Sequence, residues 1–414
     1  MLYHLQSGFR GNYSTDTCLI YLLDLIRSEI SNGNVVGVIM LDVQKAFDSV
    51  DHSHLVEKIK LAGLDPAWFA SYLENRKQIV FVNGFPSGEE QIKAGVPQGS
   101  ILGPWFYLLY SNDIPTCINS TKTKMLLYAD DTILISSNRA VQNVIQELES
   151  ALSQCHHWFN NNKLVMHSGK TESILITSKR KQHLQKEFVI NYAGQVIKPS
   201  DMVKYLGLKI DSTLSGDKIV DSILTKCHSR LKFLYRYKDI LSVKTKKVLT
   251  SALIQSHFDY ASTAWYSALT KHLKSKLQVA QNKIARFILN LHHIAHIGQE
   301  ELDRIGTLCV ADRAEQLMLN HMFNVANGTA PSYLCEQFTT VNRVYYTRQS
   351  EHNFITKRAH SMAINNFYIN GTKEWNALPT AIKTCRNKSQ FKKLVKNHLK
   401  SQCHLRQLDP FIYY

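Results

Sequence analysis

The chain has 414 residues, 44% of them apolar and 20% charged, enough for two or three domains around a sizeable core. Lys and Arg number 49 against 33 Asp and Glu, a formal net charge of +16 that favours a polyanionic partner, nucleic acid first and a membrane surface second. No apolar run is long enough to span a bilayer, no signal peptide is visible, and the eight cysteines are scattered without a CxxC pair, which argues against a disulfide scaffold and for a reducing compartment.

In chain order, residues 1–12 read as loop or extended chain. Ser14 or Thr15 can cap a helix to about Ile30, with Cys18, Leu22, Ile26 and Ile30 on one face. Val35 to Leu41 is a near-continuous apolar run, so it reads as a strand buried on both faces, delivering Asp42 at its end. A helix from His52 to Ala62 is expected to stop at Gly63 and Pro66. Gln78 to Asn83 reads as a strand leading to a turn at Gly84-Phe85-Pro86, and the rigid turn Gly95-Val96-Pro97-Gln98-Gly99-Ser100 precedes an apolar helix to about Tyr110. Val141, Val144, Leu148, Leu152, Cys155 and Phe159 mark an amphipathic helix, followed by strand-like stretches at 174–177 and 203–210.

After about residue 212 the pattern is helical. Leu273, Leu277, Ala280, Ile284 and Phe287 form one apolar stripe, with Lys271, Lys274, Lys276, Lys283 and Arg286 mostly off it. Between 181 and 300 there are 19 Lys/Arg and 8 Asp/Glu, a one-sided excess that favours a nucleic-acid face over an ordinary solvated surface. His292, His293 and His296 cluster locally. His292 and His296 can share a helix face, but the HExxH pattern is absent and they read as solvated helix-end residues rather than zinc ligands.

The stretch from Met125 to Ile135 organises the chain: apolar residues flank Asp130 and Asp131 as two short strands with the acids at the reversal. Asp is common in turns for backbone reasons alone. The sharper reading makes this pair half of a metal site, because Mg²⁺ takes hard oxygen ligands and is bound through one or two carboxylates plus substrate phosphates. Asp42 at a strand end is the candidate third carboxylate for phosphoryl transfer. Gln98, between Pro97 and Gly99, can bring backbone and amide close to a substrate, and Lys170 lies just past the amphipathic helix.

Taken together, these segments resemble the reverse transcriptases of non-LTR retrotransposons, of the jockey-like and chicken-repeat-like lineages. The matching stretches are Gln6 to Arg10, Leu41 to Asp48, Gly95 to Pro104, Tyr128-Ala129-Asp130-Asp131, Asn162-Lys163-Leu164 with Lys170-Thr171-Glu172, and Tyr205-Leu206-Gly207. His257-Phe258-Asp259-Tyr260 and Trp375 to Pro379 extend the likeness through the carboxyl-terminal half. The resemblance implies an α+β right-hand polymerase: partial fingers and an antiparallel-sheet palm over 1–211, a basic helical thumb over 212–300 and a carboxyl-terminal region over 301–414.

It also implies roles. Asp42, Asp130 and Asp131 are the catalytic carboxylates and ligands of two Mg²⁺ ions. Arg10, Val43, Phe47, Gln98, Gly99 and Lys170 form the dNTP site, with Phe47 excluding a 2′-hydroxyl by volume. Tyr205, Leu206 and Gly207 hold the primer, and Lys271, Lys274, Lys283 and Arg286 meet the nucleic-acid backbone. The implied partners are an RNA template, a DNA primer and dNTPs, with no membrane and no clear protein partner. The implied location is the nucleus, and the cytoplasm together with element RNA; Ser178-Lys179-Arg180-Lys181 is a weak import hint. Gln44, Ser111 and His167 depart from the family's common residues. The family's upstream fingers and endonuclease are missing from this sequence, and no zinc-knuckle spacing joins Cys385, Cys403 and His404, so the chain reads as amino-terminally truncated. The alternative is a relic that binds nucleic acid without polymerising. An RNA-copying RNA polymerase is disfavoured by bulky Phe47 and the Pro97-Gln98-Gly99 turn.

Overall fold

The structure is a computed structural model that describes residues 2–192, 194–341 and 352–406. The chain forms two compact units: residues 1–15 with 33–203, and residues 16–32 with 204–414. In chain order the helix α1 (Thr15–Ser31) is followed by strand β1 (Val35–Leu41), helices α2 (His52–Leu61) and α3 (Pro66–Leu73), and four two-residue strands, β2 (Lys77–Gln78), β3 (Phe81–Val82), β4 (Phe85–Pro86) and β5 (Glu90–Gln91). Then come α4 (Leu102–Tyr110), β6 (Thr123–Tyr128), β7 (Asp131–Asn138), α5 (Val141–Asn161), β8 (Glu172–Ile176), β9 (Ile190–Tyr192) and β10 (Gln195–Ile197).

The first unit is built on a four-stranded sheet ordered β6-β7-β1-β8, antiparallel throughout. The apolar run of β1 places it between two neighbours, where both faces are covered: Val35, Val36, Val38, Ile39 and Leu41 are all buried. The α5 stripe predicted by periodicity packs on this sheet through Val144 and Leu148, and Gly37 makes the approach possible. A Cβ at Gly37 would stand 2.6 Å from Val144 Cγ1 and 2.7 Å from Leu148 Cδ1, inside any real contact. Each such buried aliphatic side chain stabilises by roughly 1.5–3 kcal/mol relative to exposure.

Several expected elements differ in detail. Pro66 starts a helix as well as bounding one: Asp65 caps α3 by accepting from Ala67 N at 3.0 Å, with Pro66 in the first turn, where its missing N–H is not needed. The strand expected over 78–83 is broken into β2 and β3. Each pairs back on a later strand, β2 with β5 and β3 with β4, because Asn83 and Gly84 both take positive φ and reverse the chain.

The stretch expected as strand over 203–210 is a hairpin of β11 (Met202–Tyr205) and β12 (Leu208–Asp211), turning at Leu206 and Gly207. Helices α6 (Asp217–Tyr235), α7 (Val243–Thr250), α8 (Ser256–Asp259), α9 (Ser262–Trp265), α10 (Lys271–Leu289), α11 (Gln299–Ile305), α12 (Val310–Ala326), α13 (Ser332–Cys335), α14 (Phe367–Ala377), α15 (Thr380–Lys383) and α16 (Lys388–Arg406) follow, with a π turn at Ser251–Gln255. The α10 stripe is buried as expected. The histidine cluster is not on a helix. Asn290 adopts a left-handed conformation that ends α10, and no helix covers 291–298.

The motif at 375–379 is structural: Trp375 stacks among Phe354 and Phe391, its indole donates to His352 O at 2.9 Å, and Asn376 bonds both the N and the O of Phe354. Asp24 of α1 accepts from Phe367 N at 2.8 and 3.0 Å, capping α14. The side chains of Cys403 and His404, and the eight residues from 407, lie outside the described residues.

Candidate active site

The hairpin β6–β7 closes with Tyr128 paired to Asp131, so Ala129 and Asp130 are its two turn residues. Ala129 takes φ +57°, a conformation that costs a residue with a Cβ about 1–2 kcal/mol. The surroundings hold it there. Gln6, buried at the other end of the sequence, accepts from Ala129 N at 3.0 Å and from Gly8 N at 2.8 Å through one side-chain oxygen. Gln6 also makes a parallel bridge to Leu127, and Ser7 N donates to Leu127 O. Gly8 lies so close that a Cβ on it would be 2.4 Å from Ala129 N. In the sequence Gln6 is legible as the first residue of a family-like string, but not as the clamp of the turn.

Across the sheet, Leu41 pairs with Thr132, so the next step of the register sets Asp42 opposite Asp131. The backbone of Asp42 is pinned by His167 N, which donates to its carbonyl at 2.8 Å, and Val43 bridges to Met166. Three carboxylates from two strands and one turn therefore share one end of the sheet. Their electrostatics agree with that proximity. Burial and the nearby Asp42 charge push the Asp130 carboxyl above its ordinary value, against a backbone hydrogen bond that lowers it. For Asp131 burial, then Asp130 and Asp42, push in the same direction; since the Asp131 side chain is exposed, repulsion is the sounder cause. Lys170 Nζ stands 3.6 Å from Asp42 Oδ2, as an exposed ion pair. Among the described residues no group of three or more His, Cys, Asp or Glu is gathered into a ready-made metal cluster. The donor set is nevertheless all carboxylate oxygen, the kind that hard divalent cations take.

The other expected nucleotide residues are placed as follows. Phe47 stacks on Tyr107 at 4.7 Å and meets Phe9 edge-on at 6.2 Å. Gln98 Nε2 donates to Asp48 Oδ1 at 2.9 Å, and Gly99 is exposed with φ +80°. Arg10 donates to the carbonyls of Tyr3 and Gln6, both at 2.9 Å, and lies over the Tyr13 ring. Asp51, not singled out by the sequence, ties this region together: it caps α2, bridges to Ala94 beside the Gly95 turn, and pairs with Lys163 at 2.7 Å.

In the second unit, Tyr205 is buried beside Cys18, and Leu206 and Gly207 turn with positive φ. Tyr260, from the 257–260 motif, donates its hydroxyl to Leu206 O, while Asp259 is bound by Arg313 at 2.7 Å. On α10, Lys271 and Lys283 are exposed, but Lys274 lies over the Tyr266 ring and Arg286 donates to Ala295 O at 2.7 Å.

A strand-borne acid set against an acidic hairpin turn is an arrangement that can hold divalent cations for phosphoryl transfer. A family model for reverse transcriptase (RNA-dependent DNA polymerase) matches residues 2–210, half of the chain, and the chain belongs to that family. It is 30% identical over 292 residues to the probable RNA-directed DNA polymerase from transposon X-element of Drosophila melanogaster, over 68% of this chain and 31% of that protein. It is 26% identical over 293 residues to the RNA-directed DNA polymerase from mobile element jockey of the same fly, again 68% of this chain and 31% of that protein. The chain thus spans about a third of the length of these relatives. Telomerase from Candida tropicalis with a telomeric RNA fragment aligns over 73% of this chain and 53% of its own at 14% identity, with a TM-score of 0.36, too slight a likeness to carry an argument.

Proposed function

We propose that the chain extends a primer 3′-end with dNTPs on an RNA template, as the RNA-directed DNA polymerase part of a non-LTR retrotransposon protein. The observation that carries this reading is the meeting of Asp42, Asp130 and Asp131 at one end of an antiparallel sheet, in a chain of the reverse transcriptase family. Reverse transcriptases generally use divalent metal ions. Here Asp42, Asp130 and Asp131 are the residues to hold two Mg²⁺, which when bound activate the primer hydroxyl and neutralise the leaving pyrophosphate. The carboxylates repel one another, which suits a site completed by cations. Phe47, fixed by Tyr107, is the barrier to a 2′-hydroxyl; Val43, Gln98 and Gly99 line the nucleotide site. Lys170 neutralises the triphosphate, and Arg10 contacts it while bracing the Gln6 segment. Tyr205, Leu206 and Gly207 hold the primer strand, and the exposed lysines of α10 meet the duplex backbone. The setting is chromosomal DNA in the nucleus.

The test is primer extension on poly(rA)–oligo(dT) by purified protein and its Asp130→Ala variant. Extension is expected to fall to background while duplex binding is kept, because the acid serves metals and the lysines serve phosphates. Parallel loss of both would assign Asp130 a folding role. The rival outcome, nucleic-acid binding without polymerisation, would appear as duplex binding by the unaltered protein with no extension.

A further inference from the structure

Two cysteines far apart in sequence meet inside the first unit. Cys117 ends a turn of 3₁₀ helix (Ile114–Cys117) that follows α4, and Cys155 lies on α5. Their sulfurs are 4.0 Å apart. Cys155 is fully buried among the apolar residues of the α5 stripe, whereas Cys117 packs half-buried against the same core. The separation of 38 residues carries no motif, so the pair cannot be read from the sequence.

The two thiols are not equivalent. The contact with Cys155 lowers the Cys117 thiol below its ordinary range, against burial and the charge of Asp113, which is itself paired with Lys58 at 2.7 Å. The same contact, together with burial, pushes the Cys155 thiol well above that range. Burial also raises the thiols of Cys227 and Cys335. The thiolate is the nucleophile in thiol chemistry, so the more acidic and more exposed sulfur reacts first. A second sulfur within reach can then resolve what forms on it. Simple packing of two core thiols would enclose both, and here one is open to solvent.

We propose that Cys117 and Cys155 form a reversible disulfide driven by hydrogen peroxide, with Cys117 the attacking and Cys155 the resolving sulfur. In the first step the Cys117 thiolate attacks one peroxide oxygen. The S–O bond forms, the O–O bond breaks, and the second oxygen leaves as hydroxide, which takes the proton that Cys117 gave up. In the second step the Cys155 sulfur attacks the Cys117 sulfenic sulfur. The S–S bond forms, the S–O bond breaks, and the released hydroxide takes the Cys155 proton. Two thiols lose two electrons and one peroxide is reduced to two waters. The sulfurs close from 4.0 Å to about 2.05 Å, a movement that falls to the half-exposed Cys117 side chain. A transient bond of this kind suits a reducing compartment, where disulfides are redox-sensing rather than structural. The loop it closes contains β6, the turn with Asp130 and Asp131, and β7, so oxidation fastens both ends of the segment that carries the paired acids. The proposal goes beyond the polymerase reading and does not rest on it.

The experiment treats the reduced full chain with hydrogen peroxide, blocks the remaining thiols with N-ethylmaleimide and maps the peptides by mass spectrometry. A linked Cys117–Cys155 peptide is expected, formed before Cys335 and Cys385, which are half-buried too, lose their labelling. Dithiothreitol should restore both thiols. Cys155→Ala should leave Cys117 as a sulfenic acid that dimedone traps, and Cys117→Ala should leave Cys155 unoxidised. The oxidised unaltered protein should show a higher denaturant midpoint than the reduced one, because a closed loop restricts the unfolded chain. Cys117→Ala should abolish that difference. Oxidation of Cys335 or Cys385 ahead of Cys117 overturns the proposal. So does a Cys117 sulfenic acid that persists in the unaltered protein with no link to Cys155. Both of these outcomes are read on the unaltered chain, so they decide the matter even if a variant fails to fold. A chain that forms the bond but extends no primer supports the pair, and only the polymerase reading fails.

Discussion

Asp131 is the residue at which the proposed function and stability pull apart most clearly. Its carboxyl, like that of Asp130, is held above its ordinary value in the folded chain. A group whose folded pKa is raised stabilises the fold at low pH, and that contribution is lost as pH rises through the folded value. At neutral pH the ionised acids therefore weigh against folding in the absence of metal. Asp131→Asn should be more stable than the unaltered protein near pH 7, with the gain shrinking toward zero as pH falls below about 4, the ordinary carboxylate range. Denaturant midpoints at the two pH values check this; an equal or lower midpoint at pH 7 would show that the acids are not in conflict. Phe47 supplies the other residue-scale test. Its ring is stacked on Tyr107, so it cannot swing aside without losing that contact. Phe47→Val should raise incorporation of rNTP relative to dNTP, since the proposed barrier is volume. An unchanged ratio in single-nucleotide extension removes Phe47 from the gate.

At the scale of elements, the hairpin depends on a segment more than a hundred residues away. Gln6 bonds Ala129 N and Gly8 N, both in buried surroundings. Gln6→Ala leaves two buried donors without that partner, at a cost of about 1–3 kcal/mol each. The turn carrying Asp130 should loosen, so primer extension is expected to fall more than duplex binding does, with a lowered denaturant midpoint. Extension that drops no further than binding would reduce Gln6 to a general stabiliser. This clamp also shows what the sequence could convey. Helix α1, strand β1, the hairpin and α5 were legible because each carries its own period of burial, and the paired acids were legible because a polar pair interrupts two apolar strands. The Gln6 clamp, the Asp51 hub and the Tyr260 bond to the Leu206 turn are long-range contacts that no local pattern encodes. Pro66 was legible as a boundary, but its second role as the start of α3 was not. The histidines at 292–296 mimic a helix face only if α10 runs on, and Asn290 ends it.

For the whole molecule the dominant property is charge: a net +16, with +11 of it between residues 181 and 300. The binding of an RNA–DNA duplex should therefore weaken steeply with salt, because each phosphate met by a Lys or Arg releases condensed counterions and adds about 0.9 to the slope of log K against log salt. The structure sharpens which lysines can contribute. Lys274 is half-buried over Tyr266, and burial lowers its pKa, so reversing its charge would disturb packing as well as binding. Arg286 is committed to Ala295 O. Lys271 and Lys283 are exposed on the same helix and free of those constraints. Reversing both to Glu should leave the fold intact and flatten the slope by about 2, if each meets one phosphate. Binding isotherms across about 50–200 mM salt are the measurement, with circular dichroism to confirm that α10 survives. A double variant whose affinity and slope match the unaltered protein would move the duplex face off α10, to the other basic helices of the same stretch, α6 with four Lys/Arg and α7 with three.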